Sequence, residues 1–131
     1  MGKFIIKDAK SGGFTISLKA RNGEVIGVGG EVLNTLSTAK NSIESIIKNA
    51  QAAEIEDQTV AEVEAKKHPK FELYCDKAGE FRFRLKARNG EPILSSEGYK
   101  YKRSCLNGIA SVKKNVVDAK IVDPDSVTGK A

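Results

Sequence analysis

The run KARNGE stands at residues 19–24 and again at 86–91. A shift of 67 lays residues 3–26 on residues 70–93 without a gap, and thirteen of those 24 pairs are identical, among them Phe4/Phe71, Gly12/Gly79 and Phe14/Phe81. After a one-residue slip near residues 27–29, a shift of 66 carries Asn41, Ile43, Ser45, Lys48 and Asn49 onto Asn107, Ile109, Ser111, Lys114 and Asn115. The same shift lays Ala53, Ile55 and Asp57 on Ala119, Ile121 and Asp123. Matching this dense is an internal duplication. Two units are too few for a solenoid, which needs about three or more repeats to bury a continuous core, so the copies must close on each other.

Each copy reads the same way. FIIK and FELYC are short strands, followed by Gly-containing turns. FTISLKAR and FRFRLKAR then alternate strictly, with Phe14, Ile16, Leu18 and Ala20 on one face and Phe81, Phe83, Leu85 and Ala87 on its counterpart. A period of two marks a half-buried strand. Asn-Gly at 22–23 and 89–90 predicts type I′ hairpin turns with both residues at positive φ. EVIGV and EPILSS are third strands, and Pro92, lacking an N–H, belongs at a strand start or edge. Leu36, Ala39, Ile43, Ile46 and Ile47 form a helical stripe; Cys105, Ile109, Val112 and Val116 form the second, with Ser104 as its expected N-cap. AEIED and AKIVD close the units as short strands. The organisation expected is repeat 1 at residues 1–57, a partly helical connector at 58–69, repeat 2 at 70–123 and a fraying tail at 124–131.

Composition narrows the function classes. The two cysteines, Cys75 and Cys105, are too few for a disulfide framework and form no CxxC pair, which points to a reducing cytoplasm. The opening MGKFIIKDAK has too short an apolar run for a signal peptide or a membrane span, so a soluble, cytoplasmic protein without membrane contact is expected. The net charge is +5, and all of that excess lies in residues 69–131. Such asymmetry points to an anionic partner.

The second copy, KFELYCDKAGEFRFRLKARNGEPILSSEGYKYKRSCLNGIASVKKN, closely resembles the repeat of the YegP-like family, small bacterial proteins carrying a domain of unknown function. The resemblance rests on its F-x-L-Y opening, the G-E-F-R-F-R-L-K-A-x-N-G strand and turn, S-E-G-Y, and the N-G-I-x-S-V-K-K helix. It implies an α+β fold: a tandem duplication of a β3-α-β unit forming a single, mostly antiparallel sheet. The last strand of each repeat is swapped into the other, and two helices lie on one face. The first copy departs from the pattern, with Thr15 and Ser17 for Arg82 and Arg84, and Ser42 for Gly108. The resemblance brings no activity with it.

Candidate site residues are few. Arg82, Arg84, Lys86 and Arg88 alternate along one strand, with Tyr74 on its neighbour. Alternate strand residues lie about 6.6–6.8 Å apart, close to two backbone steps of about 3.4 Å in a nucleic-acid strand. Cations interleaved with aromatic rings suit single strands, so this face is the candidate anion or nucleic-acid surface. The alternative is a solvated face partly neutralised by Glu72 and Glu91. Asn22/Asn89, Arg21/Arg88 and Glu24/Glu91 recur in both copies, either as two equivalent sites or as turn residues flanked by cross-strand ion pairs. His68, the single histidine, sits in the connector with no triad to join, and one histidine with two distant cysteines makes no metal site. Cys105 falls on the core stripe, and Gly108, inside a helix, points to close helix–sheet packing. The chain is therefore expected to be a small non-enzymatic binding or interaction module with no cofactor and no catalytic residues. It should be monomeric with internal pseudo-two-fold symmetry. Its partner is unidentified, a protein being possible; the alternative is a nucleic-acid-associated protein using the basic sheet face of repeat 2.

Overall fold

The computed structural model describes residues 2–10, 12–29 and 32–122. The elements follow in the order β1 (Lys3–Asp8), β2 (Phe14–Lys19), β3 (Val25–Val28), α1 (Leu36–Ala52) and β4 (Glu54–Asp57), then β5 (Lys70–Cys75), β6 (Phe81–Lys86), β7 (Pro92–Ser95), α2 (Lys102–Val116) and β8 (Lys120–Val122). The fraying expected of residues 124–131 falls outside the described residues.

One mixed sheet of eight strands runs β4-β5-β6-β7-β3-β2-β1-β8. Each repeat contributes an antiparallel three-stranded meander, and β3 and β7 meet antiparallel at the centre, Val28 opposite Ser95. The last strand of each repeat leaves home. β4 adds in parallel to β5 and β8 adds in parallel to β1, which is the strand exchange expected. Reaching the far edge makes each helix cross the middle of the molecule. Helix α1 accordingly packs on β2 of its own repeat and on β5, β6 and β7 of the other.

The alternation sorts the side chains between two faces. Phe4, Ile6, Leu18, Phe71, Leu73, Phe83 and Leu85 are buried beneath Ile43, Ile46, Ile109 and Val112 of the helices. Each such side chain contributes about 1.5–3 kcal/mol on burial. Phe71 and Phe83 meet edge to face with centroids 5.9 Å apart. Lys113 Nζ donates to the Ala53 carbonyl at 2.5 Å, tying α2 to the end of α1. At the pseudo-dyad the copies differ. A Cβ on Gly27 would stand 2.8 Å from Leu94 Cγ, so a single leucine fills the space that two symmetric side chains would contest.

Three local expectations are corrected. The hairpin turns are not type I′, because neither Asn22 nor Asn89 has positive φ. Gly23 N–H donates to Ala20 O at 2.9 Å and Ala20 N–H to Glu24 O at 2.8 Å, with Gly23 at φ +87°. That is a type I turn closed by a left-handed glycine in a bulge, and the register shifts beside it at Leu18/Lys19. Gly90, Ala87 and Glu91 repeat the pattern. Helix α2 starts earlier than Ser104 implies: Tyr101 is its N-cap and makes no side-chain capping bond. The Phe81–Tyr99 bridge holds the chain two residues upstream of that cap. Pro92 heads β7 as expected, but the connector, expected to be partly helical, carries neither helix nor strand.

Candidate functional site

The helix-free face of the second repeat holds the basic strand, and every cation on it has a carboxylate. Arg82 Nε lies 2.6 Å from Asp76 Oδ2, Arg84 Nε 2.6 Å from Glu72 Oε1, and Lys86 Nζ 3.4 Å from Glu72 Oε1. Lys70 Nζ bridges Glu56 at 2.8 Å and Glu72 at 3.4 Å. Glu56 and Glu72 are each 4% exposed, so the comb of cations is neutralised from beneath by buried carboxylates while its own cations stay part-exposed. The Lys70 ammonium holds the Glu56 carboxyl far below its usual range, at about 2, against the cost of burial. Burial raises Glu72, but its bond to Arg84 and the Lys86 and Lys70 charges outweigh it and keep the group ionised. Tyr74 lies under the Arg84 guanidinium, 4.4 Å from ring centre to carbon.

The network docks the connector. Lys66 N–H donates to Glu56 Oε1 at 2.8 Å and Gln58 Nε2 to Glu56 Oε2 at 2.6 Å. A chain with two repeats has one such connector, and the first repeat has no counterpart of the network. Ile5, Thr15, Ser17 and Val122 stand where Glu72, Arg82, Arg84 and Glu56 stand in the second.

Arg88 does not share this face. β6 ends at Lys86, with a register shift at Leu85/Lys86, and Arg88 falls in the turn beyond it, beside α1. There it lines a cleft of ≈560 Å³ with Ala87 and Asn89 of its own turn and Asn41, Glu44, Ser45, Lys48 and Asn49 of α1. A second cleft, of ≈410 Å³, is built from Ala20, Arg21 and Asn22 of the first turn with Asn107, Ala110, Ser111, Lys114 and Asn115 of α2. The two are the same construction. Seven of eight lining positions are identical, Glu44 against Ala110 being the exception, so the pseudo-dyad relates the clefts in chemistry as well as in place. Each joins the KARNGE turn of one repeat to the helix of the other, a consequence of the crossed helices.

Each cleft holds a set of free donors beside the amide oxygens of its helix asparagines. Asn22 Oδ1 accepts Glu24 N–H, and Asn89 Oδ1 accepts Glu91 N–H, each at 3.0 Å, which leaves the Nδ2 end of each amide unbonded among the described residues. Asn49 Nδ2 donates to Ser45 O at 2.7 Å and Ser45 Oγ at 3.1 Å; Asn115 does the same to Ser111 at 2.8 and 3.0 Å. Each serine oxygen thus accepts from the amide and keeps its own hydrogen to donate. Among the described residues Arg21, Arg88, Lys48 and Lys114 have no salt-bridge partner, and the flanking pairs Arg21–Glu24 and Arg88–Glu91 expected of the turns do not form.

The other candidates fall elsewhere. His68 is exposed in the connector, beside the Gly90 turn. Cys75 is exposed at the end of β5; Cys105 is in the core, where burial pushes its thiol up to about 11. Gly108 lets α2 approach the sheet, as expected: a Cβ there would stand 2.7 Å from Tyr99 Oη and 3.0 Å from Phe83 Cε2. Among the described residues no three His, Cys, Asp or Glu side chains gather as metal ligands, and no helix is long and apolar enough to cross a membrane.

The fold and clefts define a class: a duplicated β3-α-β module whose repeats exchange strands and share two composite clefts. The family model for a domain of unknown function (DUF1508) matches residues 9–57 and 76–123, and the chain belongs to that family. It is 35% identical to the UPF0339 protein YegP of Yersinia pestis over 123 residues, 94% of this chain and 96% of that one. A UPF0339 protein in the ptx operon 5′ region of Stutzerimonas stutzeri is 73% identical over 48 residues, which span 37% of this chain and 43% of that relative. The solution NMR structure of yegP from E. coli, a protein of unknown function, superposes with a TM-score of 0.75 at 29% identity, covering 94% of this chain and 92% of that one. The resemblance carried by the strand and helix motifs therefore holds for family and fold.

Proposed function

We propose that the protein is a non-enzymatic binding module that takes small ligands in its two cross-repeat clefts. One observation carries the reading. Between the helices, three core positions have drifted, Ala39 to Cys105, Ile46 to Val112 and Ala50 to Val116, and Ile43 is kept as Ile109, while Asn41, Ser45, Lys48 and Asn49 recur unchanged as Asn107, Ser111, Lys114 and Asn115. Their mutual hydrogen bonds account for Ser45, Asn49, Ser111 and Asn115, but Asn41, Lys48, Asn107 and Lys114 are exposed, and exposed polar side chains are the freest to change. The displaced titrating groups also support a non-catalytic role: they sit in ion pairs or, like Cys105 and Tyr99, in the core region away from both clefts. A monomer in a reducing cytoplasm fits the free thiol of Cys75. The test is a small-molecule screen read by amide and side-chain NMR shifts. Ligands should move the signals of both clefts and lose affinity in the double variant Arg21→Ala, Arg88→Ala. Hits that gather elsewhere and ignore those changes would remove the clefts from consideration.

A second reading, a nucleic-acid surface on Arg82, Arg84, Lys86 and Tyr74 with Arg88 at the turn, is favoured by the Arg84–Tyr74 stack. Its obstacle is that a phosphate must displace a carboxylate already 2.6 Å from each arginine. Single- and double-stranded oligonucleotides titrated across a salt series decide it. A steep salt slope that Tyr74→Ala and Arg82→Ala reduce would support this surface, and no binding at low salt would retire it.

A further inference from the structure

We infer that each cleft takes the phosphate group of a small phosphate monoester, and that the Arg21–Lys114 cleft binds it more tightly than the Arg88–Lys48 cleft. This rests on the clefts being binding sites and names what they bind.

The donor inventory chooses the charge of the ligand. Each cleft presents a guanidinium, an ammonium, the free Nδ2 end of a turn asparagine and a serine hydroxyl whose oxygen is already engaged. Arginine and lysine side chains donate only, and the turn asparagine oxygen already accepts a backbone N–H while its Nδ2 is unbonded among the described residues. Such a lining is complementary to an oxyanion with several acceptor oxygens. The cations are available for it: among the described residues none of the four has a carboxylate partner, whereas the cations of the neighbouring sheet face all do. Charge then selects among oxyanions. Arg21 and Lys114 bring two positive charges with no acid among the lining residues, so a phosphate dianion balances the cleft and a monocarboxylate does not. Volumes of ≈410 and ≈560 Å³ exceed what a bare phosphate fills, leaving room for an organic group.

The exception among the lining positions sets the order of affinity. Glu44 adds a negative charge to the Arg88–Lys48 cleft where Ala110 adds none to its twin. A carboxylate beside a dianion in a solvated cleft weakens binding by about fivefold.

The experiment is a titration of the full chain with inorganic phosphate at constant ionic strength, with acetate and chloride as parallel arms, read on the side-chain amide signals of Asn22 and Asn107 for one cleft and Asn89 and Asn41 for the other. Phosphate should shift both sets in saturable fashion, the Asn22/Asn107 set at about fivefold lower concentration, with acetate and chloride much weaker. Lys114→Ala should raise the phosphate concentration needed at its own cleft by about tenfold and leave the other cleft and the urea midpoint unmoved. Glu44→Ala should bring the two clefts to within about twofold of each other. Equal response to acetate or chloride overturns the phosphate assignment, and an unchanged gap in Glu44→Ala overturns the ordering. If phosphate moves neither cleft while uncharged compounds from the screen do, the ligand class is wrong and the binding module stands. If nothing moves either cleft, both fall.

Discussion

Across its helix-free face the protein is two unlike halves, while along its turn–helix clefts it is two near-copies of one object. In the second half Lys70, Glu72, Arg84 and Lys86 form a charged network with Glu56; in the first half Ile5, Ser17 and Val122 replace most of it. The clefts, made from the same two repeats, keep seven of eight lining residues. The difference has a physical reason. A connector has to be docked once, so the residues that dock it are needed once, whereas a ligand site present twice keeps its residues twice. The excess positive charge of the second half thus has a structural use, and the proposed ligand would meet instead the cations that have no salt-bridge partner among the described residues.

The contrast is broken most forcibly at Glu72. Its carboxylate is 4% exposed and faces Lys70, Arg84 and Lys86. Glu72→Gln leaves the part-buried Arg84 and Lys86 without a carboxylate, while Lys70 keeps Glu56, and should cost about 3 kcal/mol in urea unfolding. The cleft signals of the folded fraction should not move. A loss below about 1 kcal/mol would mean that solvent, not Glu72, balances the strand.

Glu56 comes next and adds a pH signature. Glu56→Gln keeps the shape and weakens the hold on Lys70 and the connector, for about 1–3 kcal/mol at neutral pH. The native carboxyl lies at about 2 against an ordinary 4.5, so the unfolded chain takes up the proton first as pH falls. Its stabilisation is complete above about 4.5 and is lost as pH drops through about 2. Urea midpoints measured across that window should fall more steeply for the native chain than for Glu56→Gln; parallel curves would refute the assignment.

What could be read in advance, and what could not, follows from the range of the interactions. Alternation at Phe81, Phe83 and Leu85 and the stripe at Ile43, Ile46 and Ile47 are local, and the strands and helices stand where they predict. Turn geometry was ambiguous because Asn-Gly suits either a type I′ turn or a type I turn with a bulge; the Ala20–Glu24 register decides between them. The start of α2 was misjudged because the Phe81–Tyr99 bridge, not a serine, sets it. The parts of the clefts were visible as repeated KARNGE and repeated Asn, Ser and Lys. Which turn meets which helix depends on strand exchange, and that lay in the family resemblance rather than in any periodicity.

A smaller effect tests the asymmetry inside the core. Gly108 and Tyr99 in the second repeat correspond to Ser42 and Leu33 in the first. Gly108→Ser drives a Cβ toward Tyr99 Oη at 2.7 Å and should cost about 1–2 kcal/mol, the overpacking being partly offset by better helix propensity. Adding Tyr99→Leu recreates the pairing of the first repeat and should recover most of the loss. A double variant no more stable than the single would show that the two positions do not compensate each other.

The smallest effect is expected at Arg82, although it belongs to the basic strand. Its partner Asp76 also accepts the backbone N–H groups of Ala78 and Glu80, both at 2.9 Å, so the turn keeps its ties when the guanidinium is gone. The first repeat has Thr15 at this position and builds the same strand pairing. Arg82→Ala should leave the urea midpoint unchanged within error. The Asp76 carboxyl, held below its ordinary value first by Arg82 and then by the Glu80 N–H, should titrate closer to that value, as followed by carboxyl NMR. A large loss of stability would instead make Arg82 part of the architecture, like Glu72, and the division between docking charges and ligand charges would need to be redrawn through the middle of β6.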